Sequence, residues 1–303
     1  MTDRCPACDG PLPDEPALRG SDRLHGLPGD FGVRVCPACG SGRTTPWVAG
    51  PDLGALYPTS YNAHGLPPGG VARAGATALF RWRMWRGLRR DPLGALAAAP
   101  PGRLLDVGSG RGDLGVVMGE RGWRVTGLEP SADACRAAAE RGVTCVEGTL
   151  DTAAGELEGG YDAAAFLHSL EHVPEPSAAL GQAHGLLRPG ALVAISLPNF
   201  GSAQAHRFGT DWFHLDLPRH RSHLTPEGLS VLLERSGFQV RSVTTSSSAD
   251  GLPMSLRYRR NGSATAPSGL AQTAKLLAQA PVGSVHDRMA GSGDLLHATA
   301  VRP

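Results

Sequence analysis

The chain opens on two copies of one tetrapeptide, Cys5-Pro6-Ala7-Cys8 and Cys36-Pro37-Ala38-Cys39, each followed closely by a glycine, Gly10 or Gly40. Two cysteines at a C-x2-C spacing can place both thiolates on one ion from a tight turn, which Pro and Gly set up. A second pair completes a tetrahedral shell of four sulfurs with no open position, the mark of a structural rather than a catalytic zinc. Two other uses of paired cysteines fit less well. A thioredoxin-like redox site needs one pair, opening a helix after a strand. Disulfides suit secreted chains, and no apolar signal segment stands at the N-terminus. The spacing therefore predicts a zinc ribbon over residues 1–50, held by Cys5, Cys8, Cys36 and Cys39. Its interior is polar and turn-like, so the metal is expected to supply folding energy that a core does not. The other cysteines, Cys135 and Cys145, read as ordinary core or helix residues.

A chain of 303 residues has room for one enzyme-sized domain beside such a module. Its formal net charge of +1 gives no bulk attraction to nucleic acid or to an acidic membrane. No apolar run is long enough to span a bilayer, so a soluble, cytoplasmic protein is expected. Residues 51–70 form a Gly/Pro-rich connector containing Tyr57 and Tyr61. Within 71–99, Leu79, Phe80, Met84 and Leu88 recur at helical spacing. Arg81, Arg83, Arg86, Arg89 and Arg90 decorate that helix, either as a solvated face or as a docking face for an acidic partner.

From residue 103 strands and helices alternate. Strands are predicted at 103–107, 123–128, 143–147, 161–167, 191–197, 238–244 and 294–301. Helices are predicted at 113–121, 131–141 with Ser131 as N-cap, 176–187, and 226–236 capped by Thr225. Such βα alternation implies an α/β fold, a parallel sheet with helices on both faces. The insert at 245–293 is expected to carry one helix near 272–279.

The segment Asp106-Val107-Gly108-Ser109-Gly110-Arg111-Gly112 joins the first of these strands to its helix. Glycines at 108, 110 and 112 let the backbone turn sharply and approach a ligand, with helix amides exposed behind it. Glu129 ends the next strand, where a carboxylate can accept both hydroxyls of an adenosine ribose. Gly110-x-Gly112-x-x-Gly115 satisfies the dinucleotide fingerprint by letter, but that fingerprint alone is weak. Asp106 discriminates: an acid just before the loop suits a cationic ligand and repels a pyrophosphate.

D-x-G-x-G-x-G resembles motif I of class I S-adenosylmethionine methyltransferases. The resemblance continues through Tyr161-Asp162, then Leu167-His168-Ser169-Leu170-Glu171-His172-Val173-Pro174-Glu175-Pro176, which looks like the fourth-strand region of the ubiquinone-biosynthesis-like methyltransferase superfamily. Leu187-Arg188-Pro189-Gly190 and Pro198-Asn199 match further elements of it. The run from Trp212 through Asp216, Pro218-Arg219-His220, and His223-Leu224-Thr225 resembles the lid of a subgroup acting on small metabolites. In that subgroup a cysteine ribbon and a connector like Tyr57-Pro58-Thr59-Ser60-Tyr61 often come first. The resemblance runs to about residue 244. It implies a seven-stranded Rossmann-like methyltransferase sheet over 100–303 with a lid at 199–224, preceded by a connector and helical cap at 51–99. It also implies S-adenosylmethionine as cofactor, bound by Asp106, Gly108, Ser109, Gly110, Gly112, Glu129, Pro130, Leu167 and His168. One departure stands out. Ubiquinone-type enzymes tend to carry Glu where this chain has His168, so their metal-dependent chemistry does not carry over.

His168-x-x-Glu171-His172 also spells an inverted zinc-protease motif, but that needs a long helix, and Pro174 and Pro176 leave no room for one. On the methyltransferase reading His168 lies past the C-terminal edge of the fourth strand, where open α/β sheets bind ligands. The lid adds His206, His214, His220 and His223, any of which could take a proton near neutral pH. Pro218 makes His220 the foremost of them, although a surface-loop role is the bland alternative. His168, His220 and His172 are the catalytic candidates, with a structural role, hydrogen-bonding backbone to shape the loop, as the alternative for His168 and His172. Arg219 could bind a substrate anion or simply pair with Asp216.

The expected activity is methyl transfer from S-adenosylmethionine to an O, N or C atom of a small molecule, in secondary metabolism. One alternative is a ribosomal-RNA base methyltransferase with RNA recognition by the ribbon, against which the near-zero net charge stands. Another is a non-catalytic cofactor-binding scaffold. Oligomeric state has no signature in the sequence.

Overall fold

The computed structural model describes residues 3–46, 48, 56, 92–262, 287 and 292–303. The expected tyrosine connector, the arginine-decorated helix around Leu79–Leu88 and the helix near 272–279 lie outside the described residues.

The elements run β1 (Leu18–Gly20), β2 (Phe31–Val35), β3 (Gly42–Thr45), α1 (Leu93–Ala98), β4 (Arg103–Val107), α2 (Asp113–Gly119), β5 (Arg124–Glu129), α3 (Ala132–Ala139), β6 (Thr144–Glu147), α4 (Leu150–Ala153), β7 (Tyr161–Leu167), α5 (Pro176–Leu186), β8 (Leu187–Pro198), α6 (Ala203–Phe208), β9 (Ser222–His223), α7 (Pro226–Arg235), β10 (Gln239–Ser246), α8 (Gly251–Asn261) and β11 (Leu295–Val301). Seven strands form one sheet in the order β10-β11-β8-β7-β4-β5-β6. The run from β8 to β6 is parallel, as alternation demands, while β11 is antiparallel to both its neighbours. The sheet is therefore mixed: β11 enters between β8 and β10 from the opposite direction. The caps at Ser131 and Thr225 are observed, each hydroxyl accepting from the amide three residues on. In the 245–293 insert, α8 is an element that the sequence reading did not place.

Side chains from β4, β7 and β8 are buried on both faces, as central parallel strands require. Among the described residues no helix is long and apolar enough to cross a membrane.

The first residues do not stand apart. Strands β1, β2 and β3 form a second sheet, and its fourth strand is β9, from the segment expected to be a lid. Cys5, Ala7, Leu12, Cys36 and Cys39 belong to the same apolar cluster as Leu224, Leu229, Leu232 and the main sheet's Ile195 and Leu197. Thr225 donates to the Cys39 carbonyl (2.8 Å) and Arg235 to that of Cys8 (2.6 Å). The polar interior of residues 1–50 is explained by this: their apolar side chains complete a core supplied by α7 and the sheet.

The segment from 219 to 223 is correspondingly buried rather than a surface loop. Arg219, fully enclosed, donates to both oxygens of Asp22 (2.6 and 2.9 Å) and to Asp216 (2.6 Å). It pairs with Asp216, as one of its sequence readings allowed, and reaches Asp22 as well, so it offers nothing to a substrate anion. Removing one partner from such a buried cluster strands the others. Arg219→Met is expected to cost about 3–5 kcal/mol of stability, read by denaturant unfolding. A loss under about 1 kcal/mol would contradict the buried triad.

Candidate active site

At the C-terminal edge of the parallel strands, the β4–α2 loop takes the shape its glycines permit. Gly108 has φ 74°, and a Cβ there would lie 2.4 Å from the Ser169 Cβ, so only glycine fits. Gly110 has φ 52° and open space where a Cβ would point, the accessible backbone a ligand would approach. Ser169 fastens the next loop to this one by donating to the Val107 carbonyl (2.6 Å). The Gly108 and Ser109 amides donate to Leu128.

Two carboxylates meet at the loop. Glu129 accepts from the Gly110 amide (2.9 Å) and the Ser131 amide (3.0 Å), at the end of β5 where the sequence placed it. Burial pushes its pKa up, against those two amides. Asp106 is buried, and desolvation together with the nearby charges of Glu129 and Asp113 raises its pKa to about 7. Two acids at one loop, each raising the cost of the other's charge, favour a ligand that brings positive charge. Pro130 is exposed beside Glu129, and Leu167 is half-buried at the end of β7.

Past β7 the chain reverses into a single 3-10 turn, Leu170–His172, so the long helix of a zinc protease is absent there. His168 sits at φ 54°, in the left-handed region a non-glycine rarely enters. Its amide donates to the Ser196 carbonyl (2.7 Å) on β8. The His168 ring is about half exposed, 48%, while Glu171 beneath it is 2% exposed, with Nδ1 and Oε1 3.6 Å apart. Among the described residues neither carboxylate oxygen of Glu171 has a hydrogen-bond donor. Burial alone would raise the Glu171 pKa, but His168, His172 and His220 around it outweigh that and bring it down to about 2.

One ring nitrogen each of His172 and His220 and an oxygen of Glu171 lie within 4.8 Å of one another. Their rings meet edge-to-face with centroids 4.7 Å apart. His172 Nδ1 faces the Arg219 carbonyl (3.3 Å) and His220 Nδ1 the His214 carbonyl (2.8 Å). A carbonyl only accepts, so both Nδ1 atoms carry hydrogen, leaving Nε2 as the atom able to take a proton. Burial and the adjacent His172 push the His220 pKa down to about 4, so it is neutral at pH 7. Of the other lid histidines, His206 is exposed on α6. His214 anchors its segment to Ser248 (3.1 Å) and Asp294 (3.2 Å).

The four expected metal ligands come together as a second cluster. Their sulfurs lie within 4.8 Å of one another, with Cys5–Cys39 and Cys8–Cys36 both at 3.5 Å. Four sulfurs ~2.3 Å from a central zinc would be about 3.8 Å apart, so the set fits a tetrahedral thiolate site. The knuckles match bond for bond: Asp9 N donates to Cys5 O as Gly40 N does to Cys36 O, and Cys5 N to Gly10 O as Cys36 N to Ser41 O. The left-handed residue is Gly40 in one and Asp9, rather than Gly10, in the other. Burial opposes ionisation of Cys36, but the amides of Cys39 and Ala38 directed at its sulfur hold its pKa below the usual thiol value.

Cys135 and Cys145 are not ordinary core thiols; they form a disulfide with Cα atoms 5.4 Å apart. Packing of α3 back against β6 brings them together, which a ten-residue separation in sequence does not announce. The pair lies beside the glycine loop, the Cys145 sulfur 3.8 Å from the Ser109 hydroxyl.

Residues 82–243 match the family described as Methyltransferase domain, more than half of the chain. The chain belongs to that methyltransferase family. Within it, the Ubiquinone biosynthesis O-methyltransferase of Pseudomonas aeruginosa (strain UCBPP-PA14) is 31% identical over 154 residues, 46% of this chain and 66% of that protein. The match thus spans just under two thirds of that relative. Among solved structures, a methyltransferase from Thermotoga maritima described as a possible histamine N-methyltransferase superposes with a TM-score of 0.50 at 18% identity, covering 76% of this chain and 94% of that one. A SAM-dependent methyltransferase from Archaeoglobus fulgidus gives 0.50 at 18%, covering 74% and 94%. At such identity these structures establish the shared class I methyltransferase fold. In this methyltransferase the sequence-predicted loop residues and Glu129 meet at one sheet edge, with His168 alongside and His172 and His220 behind it. Glu171, the centre of the histidine cluster, was not singled out beforehand. Its signal was the i, i+3 spacing from His168, legible only once the turn replaced a helix.

Proposed function

We propose that the protein transfers the methyl group of S-adenosylmethionine to an O, N or C atom of a small metabolite, in secondary metabolism. The observation that carries this reading is the glycine loop flanked by Asp106 and Glu129, with a histidine–carboxylate cluster at the same sheet edge. Glu129 takes the ribose hydroxyls, and Gly108, Ser109, Gly110 and Gly112 supply close backbone, with Pro130, Leu167 and His168 lining the rest. Asp106 faces the cationic methionine end. The cofactor supplies an activated methyl group, and the chain supplies position and a base. His168 is that base: it is the accessible imidazole of the cluster, with Glu171 behind its Nδ1 to orient it and balance its charge. His172 and His220 pack around Glu171 with their Nδ1 hydrogens committed to the carbonyls of Arg219 and His214, so they shape the site rather than meet the acceptor. Cys5, Cys8, Cys36 and Cys39 hold a structural zinc. The near-zero net charge speaks against an RNA substrate. Incubation with S-adenosylmethionine and a metabolite extract should yield species heavier by one methylene. Salt-dependent RNA binding with methylated RNA as the sole product would reverse the choice.

Glu129→Ala removes a charge-assisted bond pair and should weaken S-adenosylhomocysteine binding by roughly 2–4 kcal/mol, read by calorimetry. Unchanged affinity, or tighter binding of NAD, would refute the assignment. Asp106 adds a pH effect. A cation bound beside it favours the ionised form, so binding below pH 7 releases its proton. S-adenosylmethionine affinity should therefore rise with pH up to about 7 and then level off. Equal calorimetric heats at pH 6 in two buffers of different ionisation enthalpy would show that no proton leaves.

A further inference from the structure

We infer that the cysteine ribbon is a working part of the active site: its strand β3, through Arg43 and Thr44, positions the loop bearing His168, Glu171 and His172 and the lid bearing His220 and His223. This rests on the reading of His168 and Glu171 as the base unit.

The connection is a continuous ladder. The Thr44 amide donates to the Arg221 carbonyl (3.1 Å), and the Arg221 amide donates to the Glu171 carbonyl (2.8 Å). Two hydrogen bonds thus lead from the ribbon backbone to the backbone of the central carboxylate. The side chain of Thr44 adds a second route. Its hydroxyl lies 2.6 Å from the His220 carbonyl and 2.9 Å from His223 Nε2. A hydroxyl has one hydrogen, and the carbonyl can only accept, so the hydrogen goes there. The oxygen lone pairs are left for His223, whose Nε2 must then carry the hydrogen. Burial, with His220 beside it, pushes the His223 pKa down to about 3, so the ring is neutral and its tautomer is set by Thr44. Arg43 supplies the third route. Its guanidinium is almost wholly enclosed and grips Glu175 with two bonds (3.1 and 3.2 Å), just beyond His172 in the same loop. It also donates to the Arg4 carbonyl (3.1 Å), one residue before Cys5. Arg43 therefore links the first cysteine knuckle directly to the loop.

These contacts are directional, buried at Thr44 and on the Arg43 side, and they span two regions distant in sequence. A module needed only for stability could dock on α7 through its apolar knuckles, as this one also does. Bonds to both sides of the histidine cluster are additional to that docking. In this arrangement His223 and Thr44 are positioning residues, acting through the lid and the Glu171 loop.

The test compares wild type with Thr44→Val and Thr44→Ser. Valine keeps the shape and removes the hydroxyl; serine keeps the hydroxyl. Imidazole nitrogen–proton NMR reads the tautomers of His223 and His220, and calorimetry with S-adenosylhomocysteine reads the cofactor site. Turnover is followed on a metabolite that gains a methyl group. Thr44→Val should change the His223 tautomer signal and lower kcat roughly 10- to 100-fold, the effect of misplacing a catalytic group by about an ångström. Cofactor affinity should stay within about twofold, and Thr44→Ser should restore both signal and rate. An unchanged His223 signal in Thr44→Val overturns the inference whatever the activity. A changed signal with wild-type kcat overturns it too, since the contact would then position nothing that turnover needs. His168→Ala, measured alongside, judges the base assignment separately: full activity there removes the base while the NMR result still decides the ribbon contact. Should Thr44→Val not fold, Glu175→Gln weakens the Arg43 grip from its exposed side. It should show the same fall in kcat at constant cofactor affinity, and wild-type kcat there counts against the inference.

Discussion

Cys36→Ser is expected to remove the zinc and, with it, the cooperative fold of much of the molecule. Structural zinc in small thiolate modules contributes an apparent ~10–16 kcal/mol, as much as the whole stability of a typical domain, about 5–15 kcal/mol. The knuckles share an apolar cluster with Leu224, Leu229 and Leu232, and Thr225 and Arg235 bond to knuckle carbonyls. Losing the metal therefore opens the main core as well as the first fifty residues. Elemental analysis should find near one zinc per chain in the wild type and none in the variant. Thermal unfolding should lose its sharp transition. A variant that melts like wild type, or wild-type protein free of zinc, would sink the assignment.

His168→Ala should lower kcat on an oxygen acceptor by about 10²–10⁴, with S-adenosylhomocysteine affinity unchanged. The reason is geometric. His168 is the accessible ring of the cluster, held in a rare backbone conformation over the buried carboxylate of Glu171. Glu171→Gln keeps the shape but removes the charge behind the His168 ring, so it should also depress kcat with S-adenosylhomocysteine affinity unchanged. If His168→Ala keeps its kcat and His220→Ala loses it, the base is His220. If both keep it, neither ring takes the proton.

Different parts of the molecule were legible to different degrees. The strands β4, β5, β7 and β8 follow from apolar runs bounded by glycine and proline, and Ser131 and Thr225 announce their helices because capping is local chemistry. The glycine loop and Glu129 are likewise contiguous signals. The antiparallel entry of β11 was not legible, since strand direction depends on which neighbour pairs with it. Nor was the disulfide between Cys135 and Cys145, nor the burial of Arg219 between Asp22 and Asp216, where 197 residues separate Asp22 from its partner.

By itself the sequence determined the βα order, the glycine loop with its acids, and the paired cysteine knuckles, because spacing within one segment dictates all three. Only the tertiary structure decided that β9 joins the ribbon sheet, that Thr44 faces His220 and His223, and that Glu171 is buried among histidines. Those facts arise from segments far apart in the chain meeting in one desolvated place, and no local pattern encodes where a chain will be brought back upon itself.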